Sequence, residues 1–172
     1  MNHIAANPAR DAADGYAPSG LRIGHVHLKV ANIERSLAFW RDVLGLQVMQ
    51  RMPSAVFLSV GGYHHHIALN TWESEGGAPP APGTTGLYHV ALLYPDRAAL
   101  AKALARLAAA GIALDGASDH GVSEALYLRD PDGNGVELYR DRPVAEWPRD
   151  AAGGIAMITR RLDVQALLAE AV

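Results

Sequence analysis

His25, His89 and Glu137 stand near the ends of three separate segments that read as β-strands, in a chain with no cysteine to offer a metal. Two imidazoles and one carboxylate are the donor set that holds a non-haem Fe(II) on one triangular face and leaves the opposite positions free. That set points to oxygen chemistry at a metal rather than to a structural site. A lone strand histidine is more often a hydrogen-bonded core group. Here the two histidines take equivalent places in an internal repeat, so a pseudo-twofold arrangement would bring both into one cavity. Glu137 lies between Val136 and Leu138. A buried carboxylate is costly unless it meets a cation or a metal, whereas on an edge strand it would simply face water.

The elements that must position these residues follow from periodicity. Residues 22–30 alternate as a strand, with Val26, Leu28 and Val30 on one face and His25, His27 and Lys29 on the other. Asn32 is placed to cap a helix in which Ile33, Leu37, Phe39, Trp40, Val43 and Leu44 recur at helical intervals before Gly45 stops it. Strands are expected at 46–51, 55–60 and 63–71, separated by Pro53 and by Gly61-Gly62. The unit is βαβββ.

Residues 73–86 hold Gly76, Gly77, Pro79, Pro80 and Pro82, a composition that defeats both helix and sheet and marks a linker. The pattern then restarts. A strand at 87–94, an Ala/Leu-rich helix at 97–110 closed by Gly111, and strands at 112–117, 124–129 and 135–139 make a second βαβββ unit. Its landmarks lie about 64 to 66 residues after those of the first. The expected fold class is therefore α+β, with two tandem βαβββ modules forming one metal-enclosing curved sheet. The division is a flexible tail over 1–20, modules over 21–72 and 87–141 around the linker, and an extension over 142–172. In the extension, Pro143, Trp147 and Pro148 suggest a segment that wraps the body, and 162–171 a last helix that packs on the domain or on a second subunit.

Composition narrows the function classes. The 172 residues, 49% of them hydrophobic, suffice for one compact domain or a fused pair of half-domains. Eighteen acidic and fifteen scattered basic residues give a formal charge of -3, with no footprint for nucleic acid. No apolar run approaches the ~20 residues that cross a bilayer, and the first twenty residues lack the pattern of a signal peptide. Together with the absence of cysteine, this reads as a cytoplasmic protein acting on a small, roughly neutral molecule.

The stretches 24–30 (GHVHLKV), 36–45 (SLAFWRDVLG), 88–92 (YHVAL) and 130–139 (DPDGNGVELY) resemble the vicinal oxygen chelate superfamily, and within it the extradiol catechol dioxygenases. The likeness covers roughly residues 21–148. It implies His25, His89 and Glu137 as ligands of Fe(II), or of Mn(II). It also implies three catalytic positions. His65 falls where these enzymes carry a histidine near the oxygen site, His120 precedes the same Gly-Val-Ser, and Tyr127 matches a tyrosine that hydrogen-bonds substrate oxygens. A regular strand puts His64 and His66 on one face and His65 on the other, so with a bulge His64 or His66 would take the role instead. His27 shares a face with His25 and is a further candidate. Many extradiol enzymes are about twice this length, with an additional pair of modules.

The resemblance implies cleavage of a catechol ring next to its two hydroxyls with incorporation of O2, by a protein expected to be a homodimer. Two alternatives use the same fold. A glyoxalase-like isomerase would carry a fourth metal ligand on the last strand of the first module, where this chain has Ala68. A metal-free drug-binding protein like the bleomycin-resistance members would need neither the ligand triad nor His120 and Tyr127.

Overall fold

The computed structural model describes residues 17, 18 and 20–171, so most of the predicted tail lies outside the described residues. The first unit is β1 (Val26–Lys29), α1 (Ile33–Leu37), β2 (Gln47–Met52), β3 (Ala55–Ser59) and β4 (Ile67–Asn70). The second is β5 (Val90–Leu93), α2 (Arg97–Ala109), β6 (Gly116–Asp119), β7 (Ser123–Arg129) and β8 (Gly135–Asp141), followed by β9 (Arg160–Arg161) and α3 (Val164–Leu168). Among the described residues no helix is long and apolar enough to cross a membrane.

The duplication is visible in the ladders. β1 lies parallel to β4, whose other neighbour is the antiparallel β3, with β2 beyond it. β5, β8, β7 and β6 repeat that order. The expected single curved sheet is instead two hydrogen-bonded sheets of four and five strands. Side chains join them. Leu28, Trp40, Leu58 and Leu69 of the first unit and Leu100, Leu126, Leu138 and Leu167 of the second and the extension belong to one buried cluster.

The helix predicted over 33–44 is α-helical only to Leu37, and from Ala38 to Val43 it widens into a π-helical turn. Leu44 N–H accordingly donates to the Phe39 carbonyl, five residues back, at 3.0 Å. The wider turn leaves Phe39, Trp40 and Leu44 all buried, which accommodates adjacent large rings that a regular turn would splay. Asn32 caps the helix as expected, its side chain accepting from Arg35 N–H at 2.9 Å.

Three strands differ from expectation. The segment 63–71 is strand only from Ile67, because the Gly61-Gly62 turn delays pairing and His64 to His66 form a loop of tilted rings in contact. The strand expected at 112–117 starts at Gly116. Ile112 and Leu114 pack against the core without a ladder, and pairing with β7 is set by Gly116 opposite Tyr127. That expected at 87–94 is paired over Val90–Leu93 alone. In the extension, β9 adds to the outer edge of β6, and α3 packs on α2 with Leu162 and Leu167 buried. The last helix thus covers its own domain.

The turn before β8 locks the two units together. Buried Asp130 accepts from Asp132 N–H (2.9 Å), Asn134 N–H (2.8 Å), the Asn134 side-chain amide (2.9 Å) and Trp40 Nε1–H (3.4 Å) of the first unit. Asp132 accepts from Ala31 N–H (2.9 Å) and the Ser36 hydroxyl (3.2 Å) and pairs with Arg35. From the other side, Arg106 of α2 donates to the Val43 carbonyl at 3.0 Å, a cation at a helix C-terminus. Because each stranded buried donor costs about 1–3 kcal/mol, Asp130→Ala is expected to lower stability by roughly 2–4 kcal/mol, read by urea denaturation.

Candidate active site

The predicted site residues fall into two groups. His89 and Glu137 come together because β5 and β8 run parallel and adjacent, with Ala91 opposite Glu137 and the chain entering β5 through His89. His89 Nε2 is 2.9 Å from Glu137 Oε2. Tyr127, across the ladder from Glu137 on β7, has its hydroxyl 3.3 Å from Glu137 Oε1 and 2.8 Å from His120 Nε2. Four predicted residues thus form one chain of contacts, His89–Glu137–Tyr127–His120, on one face of the second sheet.

The second group belongs to the first sheet. The rings of His25 and His65 lie 4.4 Å apart, and His65 also packs edge-on to Phe57 at 5.1 Å. Since His65 precedes the regular part of β4, strand parity does not govern it. The structure sets His65 against His25, while His66 turns back to the Ser59 hydroxyl at 2.9 Å. Exposed His64 has its Nδ1 2.7 Å from that of His65. His27 packs edge-on to Trp72 at 5.1 Å and not against His65.

Among the described residues no group of three or more histidine and acidic side chains converges closely enough to hold a metal ion. His25 therefore stands apart from the His89–Glu137 pair. The pair itself fits an ion well. Neighbouring donors on an octahedral ion with bonds of about 2.1 Å are about 3 Å apart, close to the 2.9 Å found here. His89 Nδ1 is buried with no hydrogen-bond partner among the described residues, so the ring is oriented through Nε2 alone.

Two titrations bear on chemistry. Tyr127 is pushed up to about 12 by burial and by the neighbouring Glu137 carboxylate, so it is a neutral donor at physiological pH. His65 is held below the usual histidine value by desolvation and by the imidazoles of His25 and His64, which leaves it uncharged and able to accept a proton.

Sequence reasoning missed Gly135. A Cβ there would sit 1.9 Å from the Tyr88 carbonyl oxygen and 3.0 Å from His89 Cβ, so only glycine lets β8 approach the backbone that carries His89. A glycine at the mouth of a strand is a signal for such an approach. A cavity of about 200 Å³, lined by Tyr88, His89, Asp115, Gly116, Tyr127 and Arg129 among others, opens beside this group. It is of a size to admit a single ring. A larger one of about 470 Å³ near the start of α1 is lined by Asn32, Glu34, Arg35, Arg51 and Glu75 among others and contains none of the candidate residues.

Comparison with known proteins gives this geometry its context. The chain is 46% identical over 149 residues to the catechol-2,3-dioxygenase of Bacillus subtilis (strain 168), covering 87% of this chain and 52% of that protein. It is 36% identical over 122 residues to biphenyl-2,3-diol 1,2-dioxygenase 3 of Rhodococcus globerulus, covering 70% and 63%. The chain spans about half to two thirds of the length of these relatives. Among solved structures, a glyoxalase/dioxygenase from Nostoc punctiforme superposes with a TM-score of 0.61 at 21% identity, over 76% of this chain and 99% of that one. Lactoylglutathione lyase from Agrobacterium tumefaciens gives 0.53 at 25% identity, over 67% and 90%. The paired βαβββ units, these neighbours and a family sequence model matched over residues 22–138 lead to one assignment: the chain belongs to the Glyoxalase/Bleomycin resistance protein/Dioxygenase superfamily.

Proposed function

We propose that the protein is an extradiol dioxygenase that opens the ring of a catechol beside its two hydroxyls, both atoms of O2 entering the product. The observation that carries this reading is the His89–Glu137–Tyr127–His120 chain of contacts, in which paired metal donors are continuous with two groups suited to bind or move protons at substrate oxygens. The similarity to diol-cleaving relatives supports it. In the proposal His89 and Glu137 would hold Fe(II) or Mn(II), with His25, which the structure sets apart from the pair, as the third ligand. When bound, the ion supplies Lewis acidity toward the catechol hydroxyls and the electron transfer that couples the ring to O2.

The protein's own groups do the rest. His65, kept neutral, accepts a substrate proton and returns it later in the reaction. Tyr127, kept protonated, donates to an oxygen that gains negative charge, with His120 behind it. Tyr88, Gly116 and Arg129 bound the space beside them. The isomerase alternative needs a further donor on β4, where buried Ala68 faces its ladder partners His27 and Phe57.

The test is to load the protein anaerobically with Fe(II), admit air with a panel of catechols, and record oxygen uptake and the yellow ring-opened product. Bound iron with no oxygen consumption across the panel would turn the assignment toward the isomerase. Within that assay, His65→Phe is expected to retain iron while turnover falls about 10²- to 10⁴-fold, the usual worth of a general acid–base group.

A further inference from the structure

The extension after β8, which the ring-cleavage reading leaves idle, holds His120. The imidazole Nδ1 lies 3.1 Å from the Ile158 carbonyl oxygen and 3.3 Å from the Thr159 hydroxyl. Ile158 also bonds back through the main chain, its N–H donating to the His120 carbonyl at 3.1 Å. Gly121, at φ +75°, turns directly under this segment. A Cβ on it would meet Pro148 Cγ at 2.7 Å and Ile158 Cγ1 at 3.1 Å. The contact is therefore tight on both sides of the histidine.

A carbonyl oxygen only accepts hydrogen bonds, and a nitrogen lone pair facing it at this distance would be repelled. Nδ1 must carry hydrogen, and in the neutral ring Nε2 is then the bare nitrogen. That nitrogen is the one 2.8 Å from the Tyr127 hydroxyl. The single Tyr127 proton has two candidate acceptors, His120 Nε2 at 2.8 Å and Glu137 Oε1 at 3.3 Å. With His120 neutral it goes to the nearer nitrogen. With both ring nitrogens protonated, Nε2–H donates to the tyrosine oxygen and the tyrosine proton turns to Glu137.

We infer that the C-terminal segment is a positioning element for the site, in which the Ile158 carbonyl fixes His120 as the Nδ1–H tautomer and so presents Nε2 as the acceptor for Tyr127. Ile158 and Thr159 touch neither the cavity nor the paired donors, so they act through His120. The inference rests on the proposed function only for its kinetic consequence.

The experiment is long-range ¹H–¹⁵N correlation NMR on the full-length protein with ¹⁵N-labelled histidine, His120 being assigned by the signals missing from His120→Gln. The expected result is the Nδ1–H tautomer in the parent protein and in Thr159→Val, which keeps the carbonyl. In Gly121→Ala, whose methyl displaces the segment, the expected result is loss of the single tautomer. Its turnover of Fe(II)-loaded enzyme should fall by about 100-fold in kcat, the scale of one proton-handling group, with KM nearly unchanged. An Nε2–H tautomer in the parent protein would overturn the inference, as would a folded Gly121→Ala that keeps Nδ1–H. The tautomer is read without turnover, so a protein that shows it yet cleaves no catechol would sink the dioxygenase reading alone. If Gly121→Ala does not fold, the parent spectrum still decides.

Discussion

If Glu137 is a ligand as proposed, Glu137→Gln is expected to abolish Fe(II) binding while leaving the protein folded. The side chain is 13% exposed, one oxygen facing His89 Nε2 at 2.9 Å and the other 3.3 Å from the Tyr127 hydroxyl. The amide keeps the shape and a polar oxygen beside the tyrosine hydroxyl, so the surrounding sheet stays in place. What disappears is the anion. A site of two neutral imidazoles and an amide binds a divalent ion much more weakly. Changes to groups that merely support a ligand already cost 10- to 100-fold in affinity, so loss of the ligand's charge should cost at least about 100-fold. Fe(II) retained after gel filtration and oxygen uptake with catechol should both fall to background while the circular dichroism stays unchanged. Full metal occupancy in the variant would remove Glu137 from the ligand set.

Glu124→Ala should have the largest effect on stability. This carboxylate is 4% exposed on β7 and is gripped by Arg97 (2.9 Å), Arg140 (2.9 Å) and Arg142 (3.0 Å). Arg97 also pairs with Glu170 beyond α3, and Arg142 with Asp119 on β6 at 3.0 Å. Removing the acceptor leaves partly buried guanidinium groups crowded around a void. Breaking a buried pair from one side costs about 3–5 kcal/mol, which for a chain of this size is roughly 6–20 °C in Tm. Glu124→Gln, which keeps an acceptor, should lose less. Calorimetry of the three proteins checks the order, and equal losses for Ala and Gln would show that charge alone matters.

Most of the architecture is legible in the chain because its signals are local. Gly45 and Gly111 end helices, alternation marks the strands, and the shift of about 64 to 66 residues betrays the repeat. What was not legible depends on packing. Phe39 and Trp40 look like two points on a helical stripe, and only the rings competing for one core explain the π-helical turn. The start of β6 is decided by which residue sits opposite Tyr127, which composition does not encode. That the strands divide into two sheets rather than one follows from hydrogen bonds between distant segments.

The site divides in the same way. His89, Glu137, Tyr127 and His120 could be picked out because each lies in a motif, and the fold joins them. The resemblance points to His65 and alternation leaves His64 and His66 open; the loop before β4 breaks that alternation and sets His65 against His25 and His66 against Ser59. Glu124 carries no sequence signal of its role, since its arginines lie 16 to 27 residues away in the chain. Ile158 and Thr159 carried no signal at all, because a main-chain carbonyl has no sequence signature.

The acidic turn at Asp130 and Asp132 both launches the strand bearing Glu137 and bolts onto the opening helix of the other unit. Coupling of that kind resists modular exchange. A half transplanted into a related protein would have to bring its own bolt or find a matching socket there, so recombination at the linker should yield mostly misassembled chimaeras unless both partners of the joint travel together.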